Sequence, residues 1–365
     1  MKDTHVEEIC KEHMRREQMR MININEIIEY IYNEMFEHIY ILHPIYAPKG
    51  KITFADALKL RMSNKQKFVC VDRNILGQLL SAVKKGSFAG GNRKETTAFL
   101  LFCMSSDLGI SPYDAIKEQA FAKMDNISGT KEFDLFECLF SDVDTDVIVE
   151  SFYNENITFK GKTYQEASSL GNISYTEENA DYLFLYATIL HFVYTLRTVK
   201  GKDEQFESFF KWYFSENLIS IYALTYIVLF FTRPKITPPH NYLIDELAIE
   251  GCMNQALDLL YLQEIDPERY RSDKYTVLVA THDKVMKTVF ETVHDETKYN
   301  CFSIDSYFEY LCDTLSDKKR EKYAQILKEL YKNHEKIDVN PQNALVVAKQ
   351  IVLQEENRLK EILIV

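Results

Sequence analysis

Residues Lys67–Val83 read KFVCVDRNILGQLLSAV. The opening KFVCV is a short, continuous apolar run rich in β-branched and aromatic residues, the pattern of a strand buried on both faces of a parallel sheet. Asp72 closes the run. From Asn74 to Val83 the apolar spacing then changes to that of a helix. A buried strand passing directly into a helix is half of a βαβ unit, so this stretch predicts an α/β fold with a mainly parallel central sheet.

A second segment repeats the theme far downstream. Tyr275–Ala280, YTVLVA, is again a buried strand, followed by Thr281-His282-Asp283 and a helix from Lys284. Cys301–Ile304 is expected to add a third short strand. In open α/β sheets ligands bind beyond the carboxyl ends of the strands. Asp72 and Asp283 both fall there, each at a helix start. Two carboxylates facing one crevice without a counter-charge are costly, and a hard cation relieves that cost.

The remaining segments read mainly as helix. Ile24, Ile27, Ile28 and Ile31 form an i, i+3, i+4, i+7 stripe within a helical stretch over 5–41. HPIYAPKGK (43–51) breaks it, and a short helix is expected at 54–61. Ser111-Pro112 marks a helix start, with Asp114 in its first turn. Residues 122–175 are mixed and acidic, with a hairpin expected around 157–164. Helices are predicted near 177–199, 204–215, 217–232 and 241–263, and again over 305–363 with breaks near 316 and 336–341. The organisation expected is an N-terminal helical extension (1–64), an α/β core (65–305) carrying a helical insertion (about 122–240), and C-terminal helices (306–365).

Composition narrows the function classes. Hydrophobic residues make up 46% of the 365, enough for a sizeable core. The net charge of −12 argues against broad, non-specific gripping of nucleic acid, though not against a local basic groove beside an acidic site. The seven cysteines include no C-x-x-C pair and match neither a zinc site nor a disulfide framework, so reduced thiols in a cytoplasmic protein are expected. Residues 1–20 are charged throughout and lack the apolar core of a signal peptide. The most apolar run, Leu218–Phe231, falls short of the roughly 20 residues a spanning helix needs, so no membrane association is expected.

At this point a family pattern emerges. An apolar strand, D-x-N and an apolar helix (Val69 to Ile75) resemble the first motif of PIN-like nucleases, and T-x-D at Thr281–Asp283 resembles their last. Between these the family places a Glu on a helix, which Glu118 in ISPYDAIKEQA matches, and a further Asp at a helix start. Asp258 in NQALDLLYL and Asp245 in NYLIDELAIEG both fit that role; Asp258 is the choice, with Asp245 as its rival. The resemblance covers about 67–121 and 241–305. It departs from a compact member in the 211 residues separating Asp72 from Asp283.

The resemblance implies a mainly parallel sheet of PIN-like, Rossmann-type order with extensive added helices. It implies Mg²⁺ or Mn²⁺ held by Asp72, Glu118, Asp258 and Asp283, with Asn74 and Thr281 supporting them by hydrogen bonds. The metal would activate a water for phosphodiester hydrolysis, most often of RNA, in a phage-defence, toxin-like or RNA-processing setting, with a regulatory protein as a possible further partner. Oligomeric state is not legible.

Simpler readings stand beside these. Asp72 and Asp283 fit helix N-caps, and Thr281 could cap in place of Asp283. Glu118 fits a solvated helix face. DVDTDV (142–147) lacks the Gly and closing Glu of an EF-hand and fits an acidic turn, while GSFAGGNRK (86–94) lacks the G-K-[ST] of a Walker A loop. A non-catalytic interaction protein that uses its acidic surface and helical region is the alternative. A phosphatase-like enzyme fits less well, because Asn74 stands where D-x-D needs its second acid.

Overall fold

A computed structural model describes residues 24–163, 179–216, 220–265, 274–295, 304–315, 320–333 and 343–363. Its centre is a four-stranded sheet in the order β1-β4-β2-β3, where β1 is Tyr40–Leu42, β2 Gln66–Val71, β3 Gly109–Ser111 and β4 Tyr275–Thr281. β2 runs parallel to both β3 and β4, while β1 pairs antiparallel with β4. The sheet is therefore small and mixed, a correction to the PIN-like, mainly parallel order. β4 lies beside β2, pairing Val71 with Ala280, which brings the ends of two distant strands side by side.

Alternation along the strands explains the layering. Val69, Val71, Ile41, Leu278 and Ala280 enter one core, whereas Cys70, Tyr40, Leu42 and Val279 enter the other. The first core is closed by chain-early helices: α1 (24–33), α2 (Phe54–Met62), α3 (Arg73–Lys85), α4 (Arg93–Ser105), α5 (Tyr113–Lys123), α6 (Asn126–Asp142) and α7 (Thr145–Tyr153). The second is closed by α8 (Ala180–Thr198), α9 (Lys202–Ser215), α10 (Ile221–Thr232), α11 (Ala248–Glu264), α12 (Lys284–Val293), α13 (Ile304–Thr314), α14 (Glu321–Asn333) and α15 (Ala344–Leu363). Each fully buried large apolar side chain contributes about 1.5–3 kcal/mol, so a sheet covered on both faces is the stable arrangement.

α3 shows why the deciding stretch folds as it does. Asp72 caps its N-terminus, Ile75, Leu76, Leu79, Leu80 and Val83 fill the core, and Gly86 ends it in the left-handed region at φ 66°. Lys84 and Lys85 sit in the last turn, where positive charge suits the helix dipole.

Several expectations change. Helix 24–33 is followed by a 3-10 turn at Met35–Glu37 and then by β1, not by more helix. Of its isoleucine stripe, Ile27 and Ile31 are buried, but Ile24 and Ile28 are exposed. β3 is too short for periodicity to reveal. The acidic stretch 122–153 forms α6 and α7, and residues 157–163 are irregular, with no hairpin among them. Charge hid α6: Glu132 and Asp134 are buried there, with Glu132 paired to Arg73 at 2.5 and 2.8 Å. Ile304 begins α13, while Cys301–Ser303 and the predicted breaks near 316 and 336–341 lie outside the described residues. α10 is buried, and no helix among the described residues is long and apolar enough to cross a membrane.

Candidate functional site

The carboxyl ends of β2 and β4 lie side by side in the sheet. Asp72, 4% exposed, directly follows β2 there. Its Oδ1 accepts from the backbone N–H of Ile75 at 2.8 Å, and its Oδ2 accepts from Thr281 Oγ1 at 2.8 Å and from the N–H of His282 at 2.9 Å. One carboxylate thus caps α3 and ties β2 to the chain leaving β4. Thr281 Oγ1 thus donates to Asp72 and also accepts the N–H of Asp283 at 2.9 Å.

Asp283 caps α12, accepting from the N–H of Val285 at 2.5 Å and of Met286 at 3.3 Å. Burial raises its pKa above the usual carboxylate range, those two N–H groups pull it back, and the charge of Asp72 raises it further. Glu118 reaches in from α5 and accepts from the Tyr261 hydroxyl at 3.4 Å. Burial pushes its pKa up to about 7 against the lowering effect of Arg73, and Asp72 adds to the rise. Asp258 comes from α11; burial drives its pKa well above normal, and Glu118, Asp283 and Asp72 each add repulsion. The four acids therefore lie in one electrostatic neighbourhood. Asp245 does not join them: it pairs with Arg197 at 2.8 Å on the exposed surface. Asn74 lines an adjoining cavity.

This arrangement overturns the metal-centre expectation. Among the described residues, no group of three or more His, Cys, Asp and Glu side chains is placed to hold a metal ion. The physical reason is that the carboxylates are already provided for. Asp72 spends both oxygens on hydrogen bonds, Asp283 spends one on capping, and burial favours the protonated forms of Glu118, Asp258 and Asp283. Burial and mutual repulsion both favour protons on Glu118, Asp258 and Asp283, while N–H donors satisfy Asp72. The metal-dependent phosphodiester hydrolysis, the RNA-cleaving nuclease and the phage-defence or toxin-like role drawn from it are corrected accordingly.

Sequence reading missed two partners of the acids. Tyr261 lies three residues after Asp258, so helical spacing placed it on the same face. Arg73 follows Asp72 directly, but its bidentate pairing with Glu132 needed the position of α6, which the sequence did not reveal. Next to Asp283 in sequence, His282 Nε2 lies 3.4 Å from Glu95 Oε1 and 3.2 Å from the Gln78 amide. Gln78 Oε1 accepts from Thr96 Oγ1 at 2.9 Å.

In comparisons with known proteins, no family model, no curated protein and no solved structure matches the chain.

Proposed function

We propose that this chain is a non-catalytic interaction protein that docks a protein partner on the outer face of α2. The observation that supports this is an apolar stripe left open to solvent. Phe54, Leu58 and Met62 recur at i, i+4 and i+8 and are 53%, 44% and 82% exposed. α2 buries only Ala57 and Leu60. Ile45, at the preceding turn, is 74% exposed. Scattered exposed apolar residues are ordinary, but a row of large ones along a single helix face marks an interaction surface.

Charge around the stripe narrows the partner. Lys49, Lys51, Lys59 and Arg61 are exposed there, against Glu37 and Asp56, which pair with Lys51 and Lys59. The local balance is positive on a chain of net charge −12. The partner that fits is a protein segment with apolar anchors and acidic flanks, which basic rim residues would steer. In this reading the four clustered acids are structural. They hold α5, α11 and α12 at the ends of β2 and β4.

The experiment is a photo-crosslinking residue placed at Leu58 in cells that make the protein. The cross-linked protein is identified, purified and titrated against wild type and against Leu58→Glu/Met62→Glu. Loss of binding in the double variant, with Leu353→Glu unaffected, supports the reading. Equal affinity for wild type and the double variant overturns it.

A further inference from the structure

We propose that the cavity between α3 and the Gly-rich loop 86–92 binds a small phosphorylated sugar, of sugar-phosphate or mononucleotide size. This site is separate from the α2 face and does not depend on it. The cavity is about 490 Å³, within the range of small-molecule sites. One wall is the polar face of α3, where Asn74, Gly77, Gln78 and Ser81 recur at helical spacing. The opposite wall is the loop, with Ser87 and Asn92, leading into Arg93 and Thr96 of α4. The cavity flanks the carboxyl ends of the strands, where α/β sheets place ligands.

The chemistry of the lining selects the ligand. Amides and hydroxyls match sugar hydroxyls, and among the described residues no carboxylate lines the cavity. Glu95, beside Thr96 on α4, lies 3.4 Å from His282. Arg93 supplies one positive charge, held in place by the Ser151 and Phe152 carbonyls rather than by a carboxylate. Asn92 leads into the 13-residue α4 but its side chain makes no capping bond and lines the cavity instead. A guanidinium beside a helix N-terminus, with neutral donors and acceptors around it, suits a phosphate joined to a hydroxyl-bearing ring.

Gly77 permits a clean test. A Cβ built there meets nothing within 4 Å, so a larger side chain enters the open cavity without colliding. Gly77→Leu should fold, since Leu is the better helix former. Ribose 5-phosphate, AMP and unphosphorylated ribose are titrated into the full chain by calorimetry and thermal melting. Wild type should bind the two phosphorylated probes, with Tm rising by roughly 3–4 °C at about 100 times Kd. Ribose should bind at least about tenfold more weakly, and Gly77→Leu should lower affinity for the phosphorylated probes by about tenfold or more. A second variant, Ser81→Leu, should do the same. Binding by AMP alone would also support the site and narrow its ligand to nucleotides. No binding of either phosphorylated probe, equal binding of ribose, or unchanged affinity in both folded variants would each overturn the proposal.

Discussion

Thr281 Oγ1 donates to Asp72 Oδ2 at 2.8 Å, across 209 positions of sequence. That bond lies at the carboxyl ends of two adjacent parallel strands. Together with the His282 N–H on the same oxygen, it makes Asp72 a structural clasp between β2 and β4. Removing the carboxylate leaves three donors without their acceptor. Asp72→Ala is expected to destabilise the fold by about 2–4 kcal/mol, combining a lost cap with buried hydrogen bonds to a charged group. Thr281→Val should cost less, about 1–2 kcal/mol. Urea unfolding of both variants checks the order. If Asp72→Ala were as stable as wild type, the clasp would be refuted.

The clustered acids set a pH dependence. Glu118 titrates near 7 in the fold against 4.5 as the ordinary value, so the folded state binds its proton more tightly than the unfolded chain does. Its contribution to stability is therefore fully present below about pH 4.5 and falls as pH rises through 7. The fall is on the order of 3–4 kcal/mol. Asp258 and Asp283, also raised, act in the same direction. Glu118→Gln should flatten part of that fall and be more stable than wild type at pH 8. Denaturant titrations at pH 5 and pH 8 supply the comparison, and an equally steep fall in Glu118→Gln would count against the assignment.

α15 is fastened to α8 by a buried ionic group. Glu355, 1% exposed, meets His191 Nδ1 at 2.7 Å and Arg358 at 2.7 Å, and His191 stacks on Trp212 at 3.8 Å. Glu355→Ala leaves the buried His191 without its hydrogen-bond partner and the partly exposed Arg358 without its carboxylate, and is expected to cost about 1–3 kcal/mol. Amide exchange should quicken in α15 and α8 before the sheet. Uniform exchange across all helices would contradict this.

Gly251 lies inside α11, where Ala would ordinarily favour the helix by about 1 kcal/mol. Here a Cβ would land against the His240 carbonyl oxygen, a backbone atom. Gly251→Ala should therefore lower stability, by about 1–3 kcal/mol of overpacking. Thermal melting decides the sign, and a raised Tm would show that the 240 turn yields.

Legibility followed the length scale of each signal. β2, β4, α3 and α12 were readable because each carries its own apolar period and cap within a dozen residues. β1 and β3 were not, because three residues carry no period and their burial comes from neighbouring strands. α6 was hidden because it buries Glu132 and Asp134, and the accommodation of Glu132 depends on Arg73 of another helix. Asp72, Glu118, Asp258 and Asp283 were singled out by motif order, and the fold brings them into one neighbourhood. What they do there was not readable. Whether a carboxylate meets a cation, a proton or an N–H group depends on the donors around it, and these come from distant elements.

By itself the sequence determined the α/β class, the two buried parallel strands and the acids at their ends, because strand burial and helix capping are local consequences of side-chain pattern. Only the tertiary structure decided the mixed sheet order, the separation of Asp258 from Asp245 and the conversion of an expected metal centre into a hydrogen-bonded clasp. Each of these turns on which groups meet across some 50 to 200 residues of chain, where pairing geometry and desolvation outweigh any local preference.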